Sequence, residues 1–295
     1  LLGQIGLPGT NSGAREGDSY GIDTGLPTGK NPIGKSFPIF LWPRAVKDAK
    51  GMTALNAGVR GCDRLEHNIK FIWNTQGNTL VNQHGGVNQI REILEDEKLV
   101  ETIVVVDNQM TPSARFADYV LPDTMNQEID DMQGDAYAVG DYNYIVACPK
   151  AADILWEQKP NYWIMTEMAK RFGLEEKFTE GRTQKEWIRW GYEQTLAKAA
   201  KQPDPIKLPG FDEFWAKGFV KYHMGRDSGI VLKAFREDPE KHPLKTPSGR
   251  IEIYSERLAK IAETWELPKT KGQEIHPIPR FIATAEMLGQ GDPLE

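Results

Sequence analysis

Asn74, Gly77, Asn78, Asn82, Asp107, Thr111 and Glu128 are side chains whose types and spacing suit the binding of a polar ligand. Most of them lie in two short stretches, WNTQGNTLVNQ and VVVDNQMT. A carboxylate such as Asp107 accepts hydrogen bonds from a ribose or from the N–H groups of a guanine. Asparagine side chains and glycine-exposed amides suit a phosphate or the edge of a pterin, because each offers donors without a bulky group. A plainer reading of Asp107 stands beside this one: a helix N-cap, or a loop acid in water.

The elements that must position these residues can be read from the pattern around them. Residues 69–73 (IKFIW) and 102–106 (TIVVV) are rich in β-branched and aromatic side chains and read as strands. Between them lie Gly77, Gly85 and Gly86 in a polar turn, then Ile90, Ile93 and Leu94 at helical spacing. The unit is strand, loop, helix, strand, the building block of a parallel sheet. The second strand is apolar without interruption, as expected of a strand covered on both faces. The fold class expected is therefore α/β, a doubly wound, Rossmann-like parallel sheet with added helices and short strands. Ligands in such sheets bind beyond the carboxyl ends of the strands, where both stretches fall.

Other groups argue against several chemistries. The chain has 295 residues, net charge −6 and a pI of about 5.6, a balance that argues against a nucleic-acid partner. No run of about 18 apolar residues exists to span a membrane. Cys62 and Cys148 are the only cysteines, too few for a disulfide framework or a cysteine-ligated cluster within the chain. The five histidines, His67, His84, His223, His242 and His276, have no metal-ligand spacing; His84 alone falls near the expected crevice. Glu128, Asp130 and Asp131 invite a metal reading, but no glycine-bounded calcium loop surrounds them, and a solvated acidic loop is the simpler account. Neither a nucleophile elbow nor a phosphate loop with its lysine is present, so no catalytic or metal residue is assigned.

Along the chain, four regions are expected. Residues 1–60 hold a glycine-rich loop (Gly3, Gly6, Gly9, Gly13, Gly17) and lining segments, with helices near 44–50 and 53–60. Residues 61–175 form the α/β dinucleotide-binding core, including a strand pair over 137–146 and a helix over 160–172. Residues 176–267 form a helical extension with a short strand. Thr183 followed by Glu186 reads as a capping box for a helix over 183–198, with Trp187 and Trp190 on one face. A helix over 211–217, a turn into an alternating strand over 246–254 and a helix over 256–263 follow. Residues 268–295 read as a tail.

The segments GQIGLPGTNSGAREG, IKFIWNTQGNTLVNQH, ETIVVVDNQMTPSARFADYVLPDT, MAKRFGLEEKFTEGRTQKEW and TPSGRIEIYS go further. Together they resemble the bacterial dimethyl sulfoxide reductase branch of the molybdopterin oxidoreductase family, over nearly the whole chain. The resemblance implies reduction of S-oxides or N-oxides by oxygen-atom transfer in anaerobic respiration at a bis(molybdopterin guanine dinucleotide) molybdenum centre. Selenate or nitrate reduction on the same scaffold, or a non-catalytic nucleotide-binding module, are the alternatives. It further implies a [4Fe–4S] cluster and a serine molybdenum ligand in sequence before Leu1, and a further domain after Glu295, so that the chain is expected to be an inactive piece of a longer enzyme. The implied partners are an iron–sulfur electron-transfer subunit and a membrane anchor subunit. The implied location is membrane-associated and exported to the periplasmic side.

The family's asparagine in the first loop maps to Asn78, with Asn74 and Asn82 as neighbours, and its guanosine-holding acid maps to Asp107 beside Val106. Thr111 and Glu128 also fall in family-pattern positions, and Gly77 joins the expected cofactor-binding residues from its place at the end of the first strand. Two departures stand out: the family's Asn-Pro is Asn78-Thr79 here, and a cofactor-contacting position near the start of the later helix falls close to Asn161, without the acid often found there.

Overall fold

The computed structural model describes residues 26–27, 32–82, 86–133, 144–202, 204–222, 232–266 and 274–282. The glycine-rich segment before residue 26, His84, Gly85, His223 and most of the expected tail lie outside them. The chain divides into two compact units, one of residues 30–123 and 252–295, the other of residues 1–29 and 124–251.

The first unit contains the expected parallel sheet. A 3₁₀ turn at Ile39–Leu41 leads into α1 (Trp42–Asp48), with Pro43 early in the helix where its missing N–H costs nothing. The short α2 (Ala54–Ala57) is closed by a reciprocal cap: the Thr53 hydroxyl accepts from the Asn56 N–H, and the Asn56 side chain accepts from the Thr53 N–H. Strand β1 (Phe71–Thr75) then runs parallel to β2 (Thr102–Asp107), with Phe71 opposite Thr102 and Thr75 opposite Val106. Between them lie α3 (Thr79–Asn82) and α4 (Val87–Leu94). The first strand begins two residues later than its apolar run suggests.

Strand β3 (Tyr119–Pro122) lies parallel on the other side of β2, giving the order β1-β2-β3. Its crossover from β2 contains only a 3₁₀ turn at Ala114–Phe116 among the described elements. Ile103, Val104, Val105 and Val106 are all buried, which accounts for the unbroken apolar run of the central strand. Ile103 and Val105 pack with Ile90, Ile93 and Leu94 of α4 and with Val46 of α1. Each such side chain contributes roughly 1.5–3 kcal/mol of burial. Asp118, just before β3, accepts from the Ile103 N–H at 2.7 Å and so supports the start of β2.

The second unit is built around a small antiparallel sheet, β4 (Asp131–Gln133), β5 (Tyr144–Cys148) and β6 (Phe219–Lys221), in that order. Of the expected 137–146 strand pair, residues 137–143 lie outside the described residues, and β5 starts at Tyr144. The helices are α5 (Asn161–Arg171), α6 (Glu175–Thr179), α7 (Gln184–Ala200), α8 (Phe211–Lys217) and α9 (Lys233–Glu237). Thr183 and Glu186 cap α7 reciprocally, and the Trp187 and Trp190 rings meet edge to face at 5.5 Å. Tyr192 of α7 stacks on Phe214 of α8 at 4.2 Å in the core of this unit.

The alternating strand expected over 246–254 does not form. The turn is present, with Gly249 at φ +69°, but Ile251 and Ile253 are both exposed. Alternation makes a strand only where a neighbour supplies the ladder, and no described strand does so here. The chain then ends its described helices in α10 (Glu256–Thr264), capped by the Ser255 hydroxyl.

Candidate functional site

The carboxyl ends of β1, β2 and β3 form one edge of the first unit, and the parallel register sets them side by side. Thr75 lies opposite Val106, and Asp107 lies opposite Pro122. Beyond β1 the chain turns through Gln76, which has φ +51°, a left-handed conformation that costs a non-glycine residue about 1 kcal/mol or more. Two bonds hold it there. Its N–H donates to the Val106 carbonyl at 2.8 Å, and its side-chain Nε2 donates to Asp123 Oδ2 at 2.8 Å. Asp123 is buried, and its own N–H donates to the Asp107 carbonyl at 3.1 Å. Gln76 and Asp123 thereby brace the ends of all three strands.

Asn74 is buried within this edge. Its Nδ2 donates to the Gly77 carbonyl at 2.6 Å, and its Oδ1 accepts from the Thr79 hydroxyl. It builds the turn rather than facing outward. Gly77 sits where a Cβ would come within 3.2 Å of the Thr79 methyl. Asn78 Oδ1 accepts from both the N–H and the hydroxyl of Ser113, at 2.9 and 2.7 Å. Its Nδ2 makes no hydrogen bond among the described residues. Asn82 closes α3 with its side chain exposed.

Across the edge, Asp107 Oδ1 accepts from the N–H groups of Asn108 and Gln109 at 2.8 and 3.3 Å. The plainer reading of this residue is thus half right: one oxygen caps its own turn. Oδ2 has no partner among the described residues. Val106 is wholly buried, and its carbonyl is taken by Gln76, so it serves as sheet. The Thr111 hydroxyl oxygen accepts from the Ala114 N–H at 3.2 Å, capping the 3₁₀ turn.

Glu128 belongs to the second unit. It is buried and returns Oε2 to the Met125 N–H at 2.8 Å, a local cap. The neighbouring acids are also engaged: Asp130 accepts from the Lys150 N–H and pairs with Lys185 at 3.4 Å, and Asp131 accepts from the Met132 N–H. In the same unit, Gln158 Oε1 and Asn161 Oδ1 are buried without a hydrogen-bond partner, which leaves two acceptors of the kind a donor-bearing ligand would satisfy. A cleft of about 670 Å³ opens over α5, α6 and the start of α7. Its cations are spoken for: Lys170 pairs with Glu167 and Glu175, and Arg182 pairs with Glu180 and lies over the Trp187 ring.

Sequence reasoning missed Ser113 and Asp123. Both are buried polar residues, and the only signal for either is its position in TPSARFADYVLPDT, at the close of a strand or just before a turn.

The carboxyl edge of the parallel strands thus carries an amide donor at Asn78 and a carboxylate oxygen at Asp107 that are unengaged among the described residues, at the end of the sheet where α/β proteins bind ligands. The sequence model of the molybdopterin oxidoreductase family matches residues 1–171, and the chain belongs to that family. Membership implies a molybdenum and molybdopterin cofactor. The chain is 46% identical over 97% of its length to the putative dimethyl sulfoxide reductase chain YnfE of Escherichia coli (strain K12), covering 34% of that protein. It is 45% identical over its whole length to dimethyl sulfoxide reductase DmsA of the same organism, covering 35% of it. With the dimethyl sulfoxide/trimethylamine N-oxide reductase of Rhodobacter capsulatus the identity is 35% over 88% of this chain and 33% of that protein. The chain thus spans about a third of the length of these relatives.

Proposed function

We propose that the protein containing these residues is a molybdenum oxidoreductase that reduces S-oxides or N-oxides by oxygen-atom transfer, and that the carboxyl edge of its parallel sheet holds part of a molybdopterin guanine dinucleotide. The observation that carries the site is the pairing of Asn78 and Asp107. One presents an amide donor and the other a carboxylate acceptor, with the remaining atom of each already satisfied by the protein. A guanosine phosphate offers both partners: N–H or hydroxyl groups for Asp107, and phosphate or carbonyl oxygens for Asn78. The residues present therefore fit the group. Gly77 and the exposed Asn82 flank this pair. Asn74, Val106 and Thr111 act on it by shaping the strand ends. The orphaned acceptors Gln158 and Asn161 are a second set of groups able to receive ligand donors. Glu128 is given a structural part.

When bound, the molybdenum centre supplies the oxygen-atom transfer. This chain's residues bind and orient one dinucleotide. The relatives' names support the choice of S-oxides and N-oxides. By the same resemblance, electrons reach the centre through a [4Fe–4S] cluster and an iron–sulfur partner subunit, and a membrane anchor subunit holds the complex on the periplasmic side.

Metal and nucleotide content of the natural-length protein, purified anaerobically, tests this reading. About one molybdenum, four iron and two guanine nucleotides per chain are expected, with turnover of S-oxides or N-oxides in excess of selenate and nitrate. Absence of molybdenum and guanine in a host that makes the cofactor overturns the oxidoreductase reading and favours a nucleotide-binding module without its chemistry. Full cofactor content with turnover of selenate or nitrate alone overturns the substrate class.

A further inference from the structure

Ser113 holds Asn78 from two directions. Its N–H donates to Asn78 Oδ1 at 2.9 Å and its hydroxyl donates to the same atom at 2.7 Å. A backbone N–H can only donate, so the Asn78 atom facing it is the oxygen, and the NH2 group is turned the other way. Ser113 is wholly buried, and its hydroxyl oxygen also accepts from the Val81 N–H at 3.3 Å, which ties it to α3. The serine therefore stands on the β2–β3 crossover and fixes a side chain on the β1 loop. Asp107, across the same edge, is fixed in the opposite sense, with Oδ1 bound to its own turn.

We infer that Ser113 is a positioning residue that sets the polarity of Asn78, so that the edge offers a donor at 78 and an acceptor at 107 and selects a ligand with the complementary pair. This rests on the reading that Asn78 and Asp107 face the cofactor. The ligand class it specifies carries a phosphate or carbonyl oxygen toward Asn78 and an N–H or O–H toward Asp107. Without the hydroxyl, the Asn78 oxygen is held by the residue-113 N–H alone, so the half-turn that would present that oxygen to the ligand breaks one bond instead of two, and an oxygen facing a phosphate repels it.

The test uses the full-length protein from a cofactor-producing host. Guanine nucleotide and molybdenum per chain are measured after prolonged dialysis, and thermal unfolding is measured on protein from a host that makes no cofactor. Asn78→Ala weakens retention about tenfold, the scale of one lost hydrogen bond to a charged group. Asn78→Asp keeps an oxygen for both Ser113 donors but replaces the outward NH2 with a second oxygen. It leaves the unfolding temperature unchanged and weakens retention at least as much as Asn78→Ala. Ser113→Ala removes one of the two restraints and weakens retention several-fold. Wild-type retention in Asn78→Asp, with Asn78→Ala weakened, overturns the polarity inference while leaving the cofactor reading intact. Wild-type retention in Asn78→Ala overturns the cofactor reading of Asn78, and the inference with it. Wild-type retention in Ser113→Ala overturns the role of the serine; should that variant fail to fold, Ser113→Cys, whose thiol is a weaker donor, takes its place with the same reading.

Discussion

Replacing Asp107 by Asn exchanges an oxygen for an NH2 at the atom that its own turn leaves unused, and the two oxygens of Asp107 have separate tasks. Oδ1 receives the N–H groups of Asn108 and Gln109 at 2.8 and 3.3 Å, while Oδ2 has no partner among the described residues. In Asp107→Asn the amide oxygen takes the place of Oδ1 and keeps both turn bonds, at neutral rather than charged strength. The stability cost is therefore small, about 0.5–1 kcal/mol. The outward atom changes from acceptor to donor. If a guanine or ribose donates to it, one charge-assisted hydrogen bond is lost, about 1.5–3 kcal/mol, or roughly tenfold to a hundredfold in retention. Asp107→Ala loses the turn bonds as well and adds about 1–2 kcal/mol of destabilisation. The assay is guanine and molybdenum per chain after dialysis of the full-length enzyme, with turnover normalised to bound molybdenum and urea unfolding of cofactor-free protein. The expected pattern for Asp107→Asn is low occupancy, near-normal stability and turnover per molybdenum within about twofold of wild type, since a binding contact remote from the reacting atoms acts equally on ground and transition states. Full occupancy in Asp107→Asn refutes the assignment of Oδ2. Full occupancy with low turnover refutes the division of labour between this chain and the metal.

Gln76→Gly removes the bond to Asp123 and also relieves the left-handed strain at φ +51°. A lost bond of about 1.5–3 kcal/mol against about 1 kcal/mol of relief leaves the protein roughly 0.5–2 kcal/mol less stable in urea unfolding. Gln76→Glu, which sets a carboxylate against Asp123, is expected to cost more; equal stability would mean the brace carries nothing. The Tyr192 hydroxyl donates to the Pro209 carbonyl at 3.0 Å inside the second unit, and burial, then the nearby Glu213 charge, pushes it up to about 12. A raised acid stabilises the fold fully below the unfolded value near 10, and that contribution is lost as pH rises from about 10 to 12. The urea midpoint should therefore fall across that window, and Tyr192→Phe should flatten the fall; an unchanged slope in the variant would assign it to other groups.

The parallel unit was legible because periodicity is a local property. Four consecutive apolar residues in β2 and Ile90, Ile93 and Leu94 in α4 follow directly from burial on both faces of a strand and one face of a helix. The cap at Thr183 was legible for the same reason, since both of its partners lie within three residues. What escaped was long-range. The segment over 246–254 has strand alternation but no neighbour, and alternation says nothing of partners. Asn74 and Asp107 look alike as polar residues at strand ends, yet one is consumed within its turn and the other keeps an open oxygen. Those partners are one to five residues away, but no periodicity says which atoms they leave open, and the hold of Ser113 on Asn78 spans 35 positions, which no spacing rule carries.

The stretch TPSARFADYVLPD shows what a sequence signature reports. Thr111 caps the 3₁₀ turn, Ser113 fixes Asn78, Asp118 receives the Ile103 N–H near the start of the central strand, and Asp123 anchors Gln76. Each of these four side chains serves the scaffold, and on the proposed reading it is Asn78 and Asp107 that meet the ligand. A relative could keep the whole stretch and run a different reaction, because these four side chains are engaged within the scaffold. The match to the family therefore speaks for the scaffold, and the reaction must be read from residues that meet the substrate. A direct consequence is that Ser113 and Asp123 variants should lower cofactor retention equally whichever substrate is assayed. A variant among them that changed the preference between an S-oxide and an N-oxide, at equal molybdenum content, would show that this edge reaches further into the chemistry than its hydrogen bonds imply.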